Sequence, residues 1–168
     1  MGILSGNPKD EPLHYGEIFG IWEFSSKAKA ALSLNQAMLQ HAGDKDLKDI
    51  LRDLQDMAQK AAKECDELLT ANGITPPPSL PDRPEAKLEE IPPGARLSDP
   101  EIGNAAGCDI AASLVACSTM IGMAIREDVG ALFAKYHTEK VAIGLRVLRL
   151  LKEKGWLVPP PLQIVRPE

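Results

Sequence analysis

The sequence predicts an all-α fold, a four-helix bundle whose helices run up, down, down and up. Three observations predict it. Four long stretches repeat apolar side chains at steps of three and four. Helix-starting and helix-ending residues punctuate those stretches in pairs. One proline-rich segment, residues 74–97, separates the second stretch from the third.

The first helix is expected over residues 13–42. Asp10, Glu11 and Pro12 form an acidic, proline-marked start, and Ile18, Ile21, Trp22, Ala28, Leu32, Met38 and Leu39 supply the periodicity. Gly43 closes it and Asp44 caps a second helix over 44–72. Here Leu47, Ile50, Leu51, Leu54, Met57, Ala61, Cys65 and Leu68 trace one apolar stripe as far as Gly73. So short a connection makes the first two helices antiparallel neighbours.

Pro76, Pro77, Pro78, Pro81, Pro84, Pro92 and Pro93 forbid a long helix in the next segment. A helix of nearly thirty residues is about 45 Å long at ~1.5 Å per residue. An extended segment gains ~3.1 Å per residue, so residues 74–97 can span the bundle end to end. Ile74, Leu80, Leu88, Ile91 and Leu97 would hold this crossover against the helices. Such connectivity is that of ferritin-like bundles. Ser98, Asp99 and Pro100 then open a third helix over 99–126. It is rich in Ala, Gly, Ser and Cys, with Leu114, Ile121 and Ile125 as its larger side chains. The turn into the fourth helix is expected near Arg126 to Gly130. That helix, over 129–154, carries Val129, Leu132, Phe133, Tyr136, Ile143, Val147, Leu150 and Leu151 and ends at Gly155.

An internal echo supports two helical hairpins. Leu68, Leu69 and Gly73 precede Pro76–Pro78, and Leu150, Leu151 and Gly155 precede Pro159–Pro161. A pseudo-repeat predicts that the tail, residues 156–168, follows the bundle from Trp156 to Val165 as the crossover does.

Composition bounds the function. The 168 residues suit one domain spanning 1–168. A net charge of −5 argues against nucleic acid, which calls for a basic face. The start of the chain has no apolar run long enough for a signal peptide or a membrane span, and it misses the myristoylation pattern because Gly6 takes the Ser/Thr slot. The expected compartment is the cytoplasm. Cys65, Cys108 and Cys117 fall within helical patterns as small buried hydrophobes, with no metal-ligand spacing.

The segments His14 to Trp22, Glu89 to Ile102, Asp109 to Ser118, Ile125 to Asp128 and Glu153 to Leu162 resemble a family from spore-forming bacteria. That family is ferritin-like and of unknown function, and some members are labelled spore-coat-like. The resemblance covers nearly all of the chain after its first ten residues. It implies a ferritin-like bundle and spore association, and it supplies no reaction.

A di-metal site of the ferritin-like kind needs Glu-x-x-His on two helices. The sequence has none: its histidines are His14, His41 and His137, and no Glu stands three residues before any of them. A reduced site for one divalent ion remains as an alternative. Glu23, Glu64 and His137 fall at about one height in the expected bundle, with Thr119, Met120 and Met123 opposite and Lys140 as a competitor for the carboxylates. A second cluster, His14, Glu17, Glu127 and Asp128, fits helix-end electrostatics, with a pH-sensitive contact as the functional alternative. Asp109 is the one charged residue between Ala105 and Ile125, on a helix expected to be buried on more than one side, and Arg146 is its expected partner.

No phosphate loop, nucleophile motif or zinc-finger spacing occurs, and aromatics total 4%, too few for a base-stacking platform. The sequence therefore favours a non-catalytic structural or interaction protein without a cofactor, which self-assembles as a homo-oligomer, with a dimer expected from the fold type. Trp156, Leu157, Leu162, Ile164 and Val165 are candidate apolar contacts. The alternative is a metal or small-ligand binder with a degenerate site.

Overall fold

The computed structural model describes residues 11–163. They form four α-helices with no strand among them: α1 Tyr15–His41, α2 Lys45–Ala71, α3 Asp99–Met123 and α4 Glu127–Glu153. Three of the four starts have a local cause in the residue before them. His14 caps α1, and its ring accepts the backbone N–H of Gly16 at 3.0 Å. Asp44 caps α2 through the N–H of Leu47. Ser98 caps α3, and Glu101 reaches back to both its N–H and its hydroxyl.

α3 ends three residues earlier than its periodicity suggests, because Ala124 leaves the helix with φ −64° and ψ 132°. Ala42, after α1, has the same two angles. The two hairpin turns therefore share one backbone path. Neither needs a left-handed residue, so Ile125 stands in one where Gly43 stands in the other. Left-handed backbone occurs instead where the hairpins exit, at Gly73 (φ 75°) and Gly155 (φ 70°). There the N–H of Ile74 returns to Leu69 and that of Trp156 returns to Leu151. Ala42 and Ala124, and Gly73 and Gly155, each stand 82 positions apart.

α1 packs chiefly on α2, and α3 on α4. Contacts at the bundle ends set the directions. Glu17 at the start of α1 touches the α3–α4 turn, and Asn72 at the end of α2 meets Arg126 at the start of α4. At the other end, Asp99 at the start of α3 touches the α1–α2 turn, and Lys154 past α4 meets Asp44. α2 and α3 thus run parallel. The segment joining them is hydrogen-bonded along α1. Lys29 donates to Pro77 O, Gln36 to Asp82 and Gln40 to Pro84 O, while Arg83 donates to Ser33 O and the N–H of Leu97 to His41. Residues 79–87 are nonetheless exposed, so these polar contacts hold the segment more than its leucines do.

The apolar interior falls into two clusters. One, toward the α1–α2 turn, is built on Met38, Leu51, Leu54, Ile110, Ile143 and Val147. The other, toward the α3–α4 turn, contains Ile21, Cys65, Cys117 and three mutually packed rings. Phe24 stacks on Tyr136 at 5.6 Å, and Phe133 stands edge-on to both. Of the tail, Trp156 and Leu157 pack on the first cluster, while Val158 and Leu162 are exposed. Ile164 and Val165 lie outside the described residues.

The shared exit geometry makes a prediction. Gly73→Ala and Gly155→Ala each place a Cβ on left-handed backbone and should each cost about 1–2 kcal/mol in denaturant unfolding. A marked inequality between the two would show that the hairpins end differently.

Candidate functional site

The polar end near the α3–α4 turn is densely hydrogen-bonded. The carboxylate of Glu17 is completely buried. Its Oε1 accepts the backbone N–H groups of Ile125 and Arg126, both at 2.9 Å, and its Oε2 accepts the N–H of His14 at 3.1 Å. A buried carboxylate needs such partners, and here three backbone donors supply them. Because His14 Nδ1 accepts from the helix, Nε2 carries the ring proton and donates to Met123 O at 3.2 Å. Arg126, 5% exposed, is fully engaged as well: it grips Asp128 with two nitrogens and donates to Asn72 and to the carbonyl of Glu11. His14 and Glu17 therefore do meet, as the capping assembly of a bundle end, and Asp128 is tied to them only through Arg126, whereas Glu127 stays exposed.

The opposite end repeats the device. Asp99 accepts the N–H groups of Gly43 at 2.7 Å and Asp44 at 3.0 Å. Asp99 follows Glu17 by 82 positions, and Gly43 and Asp44 precede Ile125 and Arg126 by the same interval. Each hairpin thus clamps the other's turn with an acid from its own first helical turn. Asp99 is only partly buried, so water reaches this clamp more easily. Lys154 joins it by pairing with Asp44, whose carboxyl this hydrogen bond holds below its ordinary value.

The structure does not gather Glu23, Glu64 and His137. Glu23 pairs with Lys27 on its own helix. Glu64 takes both oxygens to Lys135 at 2.8 Å and accepts the hydroxyl of Tyr136 at 2.7 Å. Among the described residues, no group of three or more His, Cys, Asp or Glu is placed to hold a metal ion. Burial pushes the Glu64 carboxyl up, but the hydrogen bonds from Lys135 and Tyr136 outweigh it and hold the group below its ordinary 4.5. Burial raises the Tyr136 hydroxyl well above its ordinary range, and it pushes the Cys65 thiol up to about 12 and that of Cys117 to about 11. These thiols are inert at neutral pH.

The reading of Asp109 is corrected. Asp109 is exposed and forms no ion pair among the described residues, while Arg146 reaches the other way, to Asp53 on α2. Cys108, expected inside, is exposed. The common cause is α3, whose outer side has no neighbour among the described residues. Within Pro93–Met123 an 18-residue window has a mean hydropathy of 1.5, apolar enough by composition to cross a membrane, yet only 22% of it is buried. Val115 is 68% exposed, with Ile121 and Ile125 open on the same hairpin and Val141, Leu145 and Leu148 open on α4. Phe19 of α1 lines the groove beside Val115.

The sequence profile of a family described as "Protein of unknown function (DUF3231)" matches residues 1–168. The chain belongs to that family. The uncharacterized protein YvdQ of Bacillus subtilis is 48% identical over 164 residues, 98% of the DUF3231 chain and 96% of the relative. A solved structure labelled as a spore coat protein, from Bacillus halodurans C-125, has a TM-score of 0.92 and 45% identity, covering 95% of the DUF3231 chain and 100% of its own. A conserved hypothetical protein from Mycobacterium tuberculosis has a TM-score of 0.67 at 13% identity, over 83% of the DUF3231 chain and 100% of its own, and shares the fold alone.

Sequence reasoning passed over Asp99 and Arg126 as organisers of the DUF3231 bundle. The available signal was the common spacing of Gly73 to Gly155 and of Glu17 to Asp99. Two predictions follow from the clamps and from Glu64. Glu17→Ala leaves buried N–H groups unpaired and should cost about 3–5 kcal/mol, against about 1 kcal/mol for Asp99→Ala, by denaturant unfolding. The Glu64 carboxyl is lowered in the folded state, so its stabilisation is present above pH 4.5 and lost as pH falls through the folded value. Glu64→Gln should therefore flatten the acid limb of the stability profile, read from unfolding midpoints measured below and above pH 4.5.

Proposed function

We propose that this DUF3231 protein is a ferritin-like bundle with a proline-rich crossover, acting as a non-catalytic building block that associates with a second copy of itself through the outer side of α3. One observation carries this reading: an apolar helix lies mostly open to solvent, where single-chain bundles expose a polar stripe. Small residues on that side, Ala111, Ser118 and Gly122, would let a second backbone approach closely, with Val115 and Leu145 on α4 as the larger contacts. The parallel course of α2 and α3 supports the ferritin-like assignment.

A membrane fits this face less well. Both ends of α3 are clamped into the bundle by Asp99 and Glu17, and the helix has no Lys or Arg for anionic lipid. The spore coat label of the Bacillus halodurans neighbour supports an assembly role and association with the spore. The reading calls for no cofactor, metal or nucleic acid.

Sedimentation at increasing protein concentration tests it. The wild-type chain should run as a dimer or larger. Val115→Lys combined with Leu145→Lys should run as a monomer with unchanged helix content. A wild-type monomer throughout the accessible range would overturn the proposal.

A further inference from the structure

The two apolar clusters do not meet in the middle of the bundle. The middle is lined by alanines, Ala28 and Ala31 on α1, Ala58 and Ala61 on α2, Ala112 and Ala116 on α3, of which Ala61 belongs to the second cluster and Ala28 and Ala116 pack on it. They border a cavity of about 320 Å³, floored by Phe24 and Tyr136. Its rim residues, such as Ala30 and Leu34 on α1 and Asp109 on α3, are exposed, so the mouth opens between these two helices. The opening has a local cause. α1 and α3 touch where Gly20 meets Met120, so closely that a Cβ on Gly20 would lie 2.1 Å from the Met120 sulfur. Farther along, the alanines are too small to fill the space between the two helices. An apolar cavity of ~150 Å³ already takes up a molecule the size of benzene, so this one has room for a longer body.

The charges at the mouth are unequal in reach. Lys27 is occupied by Glu23 and Glu139 by Lys60. That leaves Lys140 and Asp109, neither of which forms an ion pair among the described residues. Asp109 faces solvent. Lys140 lines the same cavity and is partly buried, so of the two it is the positive charge that stands closer to the apolar lining.

We propose that the cavity binds a small amphiphile, with an unbranched apolar body between the alanine walls and a carboxylate head at Lys140. This goes beyond the self-association reading and does not rest on it, since neither Val115 nor Leu145 lines the cavity.

Isothermal titration with decanoate tests the proposal, with decanol and decylamine as head-group controls. Wild-type protein should bind one decanoate per chain, about tenfold more tightly than decylamine. Ala116→Leu fills the cavity and should weaken decanoate binding about tenfold or more, with helix content kept and the unfolding temperature raised. Ala28→Leu, from the opposite wall, should do the same should Ala116→Leu not fold. Lys140→Met should abolish the preference for decanoate over decanol while leaving decanol binding intact. The Val115→Lys/Leu145→Lys variant should bind as the wild type does, whatever its oligomeric state. Absence of saturable decanoate binding, or binding that both cavity-filling variants leave unchanged, would overturn the proposal. So would tighter binding of decylamine than of decanoate.

Discussion

The carboxylate of Glu17 decides how the two halves of this protein meet. A helical hairpin with a three-residue turn leaves two backbone N–H groups pointing away from both of its helices, and they need a partner once the bundle end is covered. Glu17 reaches out of α1 and takes both from the α3–α4 turn. Asp99 reaches out of α3 and takes the matching pair from the α1–α2 turn. Each hairpin is thus held at its closed end by an acid from the other. Directional bonds of this kind fix axial register, which apolar packing alone leaves loose.

Reciprocal clamping gives the fold an approximate two-fold relation, with positions 82 apart playing the same part. The relation also separates the helices into two kinds. α2 has a clean apolar stripe, buried from Leu47 through Leu69, and α4 a similar one from Val129 through Leu151. α1 and α3 lack so clean a division, and they are the helices that part in the middle, while exposed apolar side chains stand on α1, α3 and α4. The clamps hold the two ends, and the open α1–α3 side is where the proposed binding is placed.

Much of the fold is legible in the sequence because its signals are local. The α2 stripe, the caps at Asp44 and Ser98 and the glycines at 73 and 155 each act within a few residues, so periodicity and punctuation reveal them. Glu17 was visible as a helix-start acid beside His14, but the donors it serves lie more than a hundred positions away, and no local rule reveals them. α3 misled for a different reason. An apolar stretch with one charge, such as that from Ala105 to Ile125, reads as buried, since burial is the usual cause of such a composition, yet here Asp109 and Val115 face solvent. The grouping of Glu23, Glu64 and His137 rested on equal height along the bundle. Height says nothing of rotation about each helix axis, and rotation is what directs Glu64 to Lys135 and Tyr136.

Native-state hydrogen exchange at the backbone amides of Ile125 and Arg126 tests the central claim most directly. Amides held by a fully buried carboxylate should exchange only when the whole bundle unfolds, at the free energy of core amides such as those of Leu54 and Phe133. Exchange at the rate of an open surface turn would contradict the account, since the hairpins would then be joined by apolar packing alone.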